Sequence, residues 1–137
     1  MINLEEEQKR LAEYKAQKSA FLQEIKEAYL DDDDLYKSEN ELENGIYYDE
    51  TIMLEWYEKR DLEYVNNIVG CQETLVSLLK VYNQNNKIIP HKEKKELEIL
   101  LHEARQIRQR RLNDIQQAQS VVDAMDNIIK ACDEIRK

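Results

Sequence analysis

The chain has 137 residues, of which 42% are hydrophobic and 36% charged, with two glycines, one proline and a formal net charge of −9. The length suits a single domain. The scarcity of breakers excludes a turn-rich β-sandwich or barrel, and the apolar content excludes a disordered chain. An acidic chain is also a poor binder of phosphate backbones, so nucleic acid is not expected as a direct partner.

The charge is uneven. Residues 1–66 hold 19 acidic and 8 basic side chains, and residues 67–137 hold 10 and 12. The basic ones gather at Lys92, Lys94, Lys95, Arg105, Arg108, Arg110 and Arg111. A basic turn in an acidic chain reads as an internal ion-pair network more readily than as a phosphate site. The first residues, Met1-Ile2-Asn3-Leu4 followed by three glutamates, do not resemble a signal peptide, and no apolar run is long enough to span a membrane. With Cys71 and Cys132 both on apolar lines, the expectation is reduced, buried thiols in a cytoplasmic protein.

In chain order, Asn3 with Glu6 forms a capping-box pattern, and Glu5, Glu6 and Glu7 suit the positive end of a helix dipole. The first helix is expected over about residues 4–30. Its inward positions are Leu4, Leu11, Tyr14, Phe21, Leu22, Ile25 and Ala28, with Lys18 a polar exception. Asp31 to Asp34 close it, since four negative charges are unfavourable at a helix C-terminus. They lack the alternating ligands and glycine of a calcium loop, and a solvated loop is expected there. A short helix follows near 35–43, ended by the turn dipeptide Asn44-Gly45; the alternative is one continuous helix from Ser38 to Tyr82 that tolerates Gly45 at a cost of about 1 kcal/mol.

The strongest pattern lies between Thr51 and Tyr82, in a helix expected over about 49–84. One line carries Tyr57, Asp61, Tyr64, Ile68, Cys71, Leu75, Leu78 and Tyr82. A second carries Leu62, Val65, Val69, Val76 and Leu79. Spacings of three and four sustained over this length signal a helix, and two adjacent lines make a face that needs at least two neighbours. Asn83 to Asn86 end it, and Pro90 belongs at the start of the next helix. A last helix is expected over about 91–136, where seven-residue repeats run through Leu97, Ala104, Arg111, Ala118, Met125 and Cys132, and through Leu100, Ile107, Asp114, Val121, Ile128 and Ile135. Unbroken, it would be about 68 Å long and would overhang its neighbours.

Counting outward from the loops, the last two helices pair residues whose numbers sum to roughly 174, and the first two to roughly 79. Lys18, Asp61 and Arg111 then fall at one level, as a polar layer that fixes register. Tyr47, Tyr48, Trp56 and Tyr57 form the densest aromatic stretch, a candidate anchor for a partner or, equally, a plug at the bundle's end. His91 and His102 share one helix about 16 Å apart, too far to ligate one ion. No Glu-x-x-His pair or other metal, nucleophile or cofactor motif is present, so neither a catalytic role nor a cofactor is expected.

These features point to an all-α fold: an elongated antiparallel bundle of three long helices and one short one, with coiled-coil-like packing. The expected role is a non-catalytic interaction module of chaperone, adaptor or secretion-accessory type. It would bind a partner helix in a groove or associate with itself as a homo-oligomer or hetero-complex. The alternative is an acidic inhibitor that imitates nucleic acid and blocks a basic groove on a nuclease or DNA-binding protein.

Overall fold

A computed structural model describes residues 2–29, 56–113 and 119–136, with side chains described over 2–24, 62–113 and 119–136. It is a helical bundle of four described helices: α1 (Leu4–Tyr29), α2 (Trp56–Gln84), α3 (His91–Leu112) and α4 (Gln119–Arg136). There is no strand among the described residues. The expected short helix at 35–43 and the turn at Asn44-Gly45 lie outside them.

Local chemistry sets the ends. Asn3 Oδ1 accepts the Glu5 N–H at 2.8 Å, one of the donors that the first turn leaves without a carbonyl, and three glutamates follow in that turn. At the far end of α2, Lys87 N–H reaches back to the Tyr82 carbonyl at 2.8 Å, the long bond of a Schellman-type stop. That closure puts Asn86 and Lys87 at φ 55° and 62°. Asparagine takes this left-handed conformation readily; lysine does so at a steric cost. Pro90 is the N-cap of α3, with extended backbone, and its carbonyl accepts the N–H groups of Glu93 and Lys94.

Both α2 lines are inward. Tyr64, Ile68, Cys71, Leu75 and Leu78 are buried on one, and Leu62, Val69, Val76 and Leu79 on the other. The first meets Leu97, Leu100, Leu101, Ala104 and Ile107 of α3 and Val121, Met125, Ile128, Cys132 and Ile135 of α4. This one cluster of buried residues comes entirely from α2, α3, α4 and Ile89 of the connecting loop. α1 reaches it only through half-buried Leu4 and Tyr14, with Ile2 just before the helix.

The expected helix over 91–136 is not continuous. α3 ends at Leu112 with Asn113 as its C-cap, and α4 starts anew at Gln119. The two pack on each other: Glu98 meets Arg136 at 3.4 Å, and Arg108 meets Asp126. Numbers that rise along α3 fall along α4, so the chain has doubled back and no rod of about 68 Å exists. Arg110 and Arg111 in the last turn, followed by Asn113, are a helix stop. The seven-residue repeat ran through this stop because the next helix resumes in the same phase.

The other pairings follow expected levels. Arg111 on α3 meets Glu63 and Tyr64 on α2, and Glu7 on α1 meets Gln72 on α2. These pairs sum to about 174 and 79, as loop-centred counting gives. α1 also lies along α4, with Ile2 on Glu134 and Glu7 on Asn127.

Candidate interaction site

The most concentrated polar chemistry among the described residues is on the seam between α1 and the other helices. Glu7 stands between Leu4 and Leu11 on the inward side of α1 and is only 4% exposed. Gln72, fully buried, stands between Val69 and Val76 on the second line of α2. Its Nε2 donates to Glu7 Oε2 and to the Glu7 carbonyl, both at 2.9 Å. Asn127 of α4 donates from Nδ2 to the same carboxylate at 3.1 and 3.3 Å. Arg10, one turn along α1, pairs with Glu7 and reaches Asn127 Oδ1 at 3.3 Å. A buried carboxylate is tolerated here because both oxygens are bonded and a counter-charge is adjacent. Gln72 Oε1 has no hydrogen-bond partner.

Glu7 and the second polar line position were both legible in principle, since each is a polar residue at an apolar spacing. Periodicity singles out Lys18 on α1 and neither Glu7 nor Gln72, because each of these is one polar residue within an otherwise apolar line.

The seam is loosely filled around the first turn of α1. A cavity of about 140 Å³ separates it from α4, lined by Ile2, Glu7 and Arg10 on one side and Asn127, Lys130 and Glu134 on the other. Two open clefts lie nearby: one of about 590 Å³ between this turn and Asn83 and Lys87, and one of about 360 Å³ lined by Ile2, Tyr82, Lys87, Glu134 and Ile135. Ile2 borders all three.

Of the expected polar layer, Arg111 is buried. Its guanidinium lies 4.3 Å from the Tyr64 ring centroid and 3.0 Å from Glu63 Oε1. The Glu63 contact is one of charge, because neither Nε nor Nη2 makes a hydrogen bond. Lys18 is half-buried on α1. The Asp61 side chain lies outside the described ones, and so do those of Trp56 and Tyr57, which open α2. Tyr47, Tyr48 and the Asp31 to Asp34 run lie outside the described residues altogether.

Arg105 pairs with Asp133 at 3.9 Å and Arg108 with Asp126, so these two basic residues serve the α3–α4 hairpin. His91 and His102 are exposed on α3. Cys71 and Cys132 are free and buried. Burial pushes the Cys71 thiol up to about 11, with Glu103 adding to it. Burial pushes Cys132 up to about 12, helped by Asp133, Cys71 and Glu98 against Arg105. Both are protonated at neutral pH, the unreactive form. Burial also raises Tyr14, against the pull of Arg10. No described group of three or more His, Cys, Asp or Glu side chains is disposed to hold a metal ion. No described helix is long and apolar enough to cross a membrane.

Comparison with known proteins supplies no relative: no family model, no curated protein and no solved structure matches this chain.

Proposed function

We propose that the chain is a non-catalytic helical interaction module of chaperone, adaptor or secretion-accessory type, which binds a helix of a protein partner or of another copy. One observation carries this reading. The cluster of buried residues around α3 and α4 draws on α2, α3, α4 and Ile89, while α1 has Leu22 and Glu7 buried and Leu4, Leu11, Tyr14 and Phe21 only half-buried. Part of the apolar line of α1 thus stays at the surface, and helix-in-groove contacts use such surfaces. Exposed Ile88, Ile99 and Leu112 add apolar surface on the loop and on α3. The polar groups that do converge bond to one another, and the thiols are buried and protonated, which suits recognition better than chemistry. Free cysteines fit a reducing, cytoplasmic setting.

A specific observation favours the second reading, an acidic inhibitor that imitates nucleic acid. Residues 30–55 hold ten carboxylates and one lysine, so they carry the whole net charge of the chain. One titration separates the two. The full chain is mixed with its native extract, and complexes are followed from dilute buffer to about 0.5 M salt. An apolar helix contact persists, a carboxylate row on a basic groove is lost, and no complex with a partner or a second copy at any salt would refute both.

A further inference from the structure

We propose that the cleft beside the α2–α3 loop binds the C-terminal residue of a partner polypeptide. Lys87 holds the terminal carboxylate, and the apolar side chain of that residue lies against Ile2, Tyr82 and Ile135. This rests on the reading of the chain as an interaction module and names the part of the partner that is held.

Three observations meet at this place. The first is the cleft, of about 360 Å³, a size that suits one small ligand group. Its wall is Ile2, Tyr82 and Ile135, and its charges are Lys87 and Glu134. The second is the state of those charges. Glu134 already accepts the Ile2 N–H at 3.0 Å, whereas among the described residues no acid pairs with the Lys87 ammonium. The third is the backbone of Lys87. Its φ of 62° is one that glycine takes at no steric cost and lysine does not. Three bonds hold the loop in that shape: Lys87 N–H to the Tyr82 carbonyl at 2.8 Å, Ile88 N–H to the Asn85 carbonyl at 3.1 Å, and Asn85 Nδ2 to the Ile88 carbonyl at 3.0 Å. The root of the lysine stem is therefore fixed beside the cleft, and a costly conformation kept in this way points to a use for its side chain.

The chemistry narrows the ligand. Apolar wall and cation line one small cleft, so carboxylate and apolar group must come from the same residue. An internal aspartate or glutamate spends its short stem on the acid and leaves the wall bare. A chain-terminal leucine, isoleucine or valine carries both groups. Glu134 on this cleft and Glu5 and Glu6 on the 590 Å³ cleft leave room for one negative charge at Lys87 and repel a polyanion. Ile88, 62% exposed next to Lys87, adds apolar surface for the residue before the terminal one.

The test uses the full chain and a short labelled peptide that ends in valine-leucine with a free carboxylate. Fluorescence anisotropy should show it bind, and amidating its C-terminus should weaken binding about tenfold, the loss of one charge-assisted bond. Lys87→Gln should cost about the same and make peptide and amide equal. Lys87→Gly should lose the carboxylate preference while raising the melting temperature, which separates binding from folding. Ile2→Ser should weaken peptide and amide alike. If peptide and amide bind equally to the unaltered chain, if neither binds, or if Lys87→Gln keeps the preference, the inference is overturned. Octanoate that binds more tightly than the peptide and displaces it would assign the cleft to a free aliphatic acid and overturn the polypeptide terminus. A salt-resistant complex in native extract that excess peptide leaves intact would sink this inference and leave the interaction module standing.

Discussion

The Glu7–Gln72 contact permits a double-mutant cycle whose outcome follows from burial. Replacing Glu7 by leucine removes the acceptor of one Gln72 bond and of the Asn127 bonds, in a site where Gln72 is fully buried. Each buried donor left without an acceptor costs about 1–3 kcal/mol, partly offset by about 1.5–2 kcal/mol for the buried leucine. Arg10 is 41% exposed and returns to water at little cost. The net loss is therefore about 2–3 kcal/mol. Replacing Gln72 by leucine takes a charge-assisted bond from the carboxylate but leaves Arg10 and Asn127 on it, for a net loss of about 1–2 kcal/mol. In the double variant leucine faces leucine, and only half-buried Asn127, which can turn to water, lacks its acceptor, so stability should return to within about 1 kcal/mol of the unaltered chain. Urea unfolding at pH 7, read from the midpoints at a common slope, gives the coupling, expected at about 3 kcal/mol. Additivity within about 0.5 kcal/mol would mean that the carboxylate and the amide do not meet, and the seam as described would be wrong.

Three further outcomes are expected. Gly70→Ala should stabilise the chain by about 0.5–1 kcal/mol, because a Cβ at this exposed helical position meets nothing within 4 Å; Lys87→Gly should do likewise by relieving a φ of 62° while keeping the bond to Tyr82, and thermal melts read both. Stability should fall as pH rises above about 9, since the unfolded thiols release protons that folded Cys71 and Cys132 hold to about 11 and 12. The slope is about 1.4 kcal/mol per pH unit per thiol, full stability lies below that window, and Cys71→Ala/Cys132→Ala should flatten urea-measured stability between pH 9 and 11. Arg111→Lys should cost about 1–2 kcal/mol in urea, since an ammonium cannot lie flat on Tyr64; no loss would mean the stacking is idle.

The legible part of the fold was the part that apolar spacing controls. The two α2 lines, the Asn3 cap and the stop after Tyr82 all follow from local rules. The α2–α3 level follows from them, because the short connection between Gln84 and His91 leaves antiparallel neighbours little freedom. The hairpin at residue 113 was illegible to periodicity for a physical reason. Period measures the phase of a face, and α4 resumes in the phase in which α3 ends, so direction can reverse without a trace. The trace was in the exceptions: Arg111 and Asp114 interrupt the two heptad lines three residues apart, at the point where α3 stops. The seam was missed for a related reason. Glu7 and Gln72 are single polar residues on separate lines, unremarkable alone, and only the α1–α2 pairing makes them one site.

The placement of polarity in this bundle decides how its helices align. Among the described residues, the core cluster of α2, α3 and α4 is leucine, isoleucine, valine, alanine, methionine, cysteine and Tyr64, with Arg111 at its end. Such a core rewards any well-shaped apolar residue and distinguishes poorly among helices of similar volume. The seam with α1 is where a glutamate, a glutamine and an asparagine replace that content. A buried carboxylate between two amides adds little net stability over hydrophobic residues, yet it penalises every helix that lacks an acid at that level. Within one chain that penalty fixes register: a slip of α1 by one turn would take Glu7 away from both amides and set apolar residues against them.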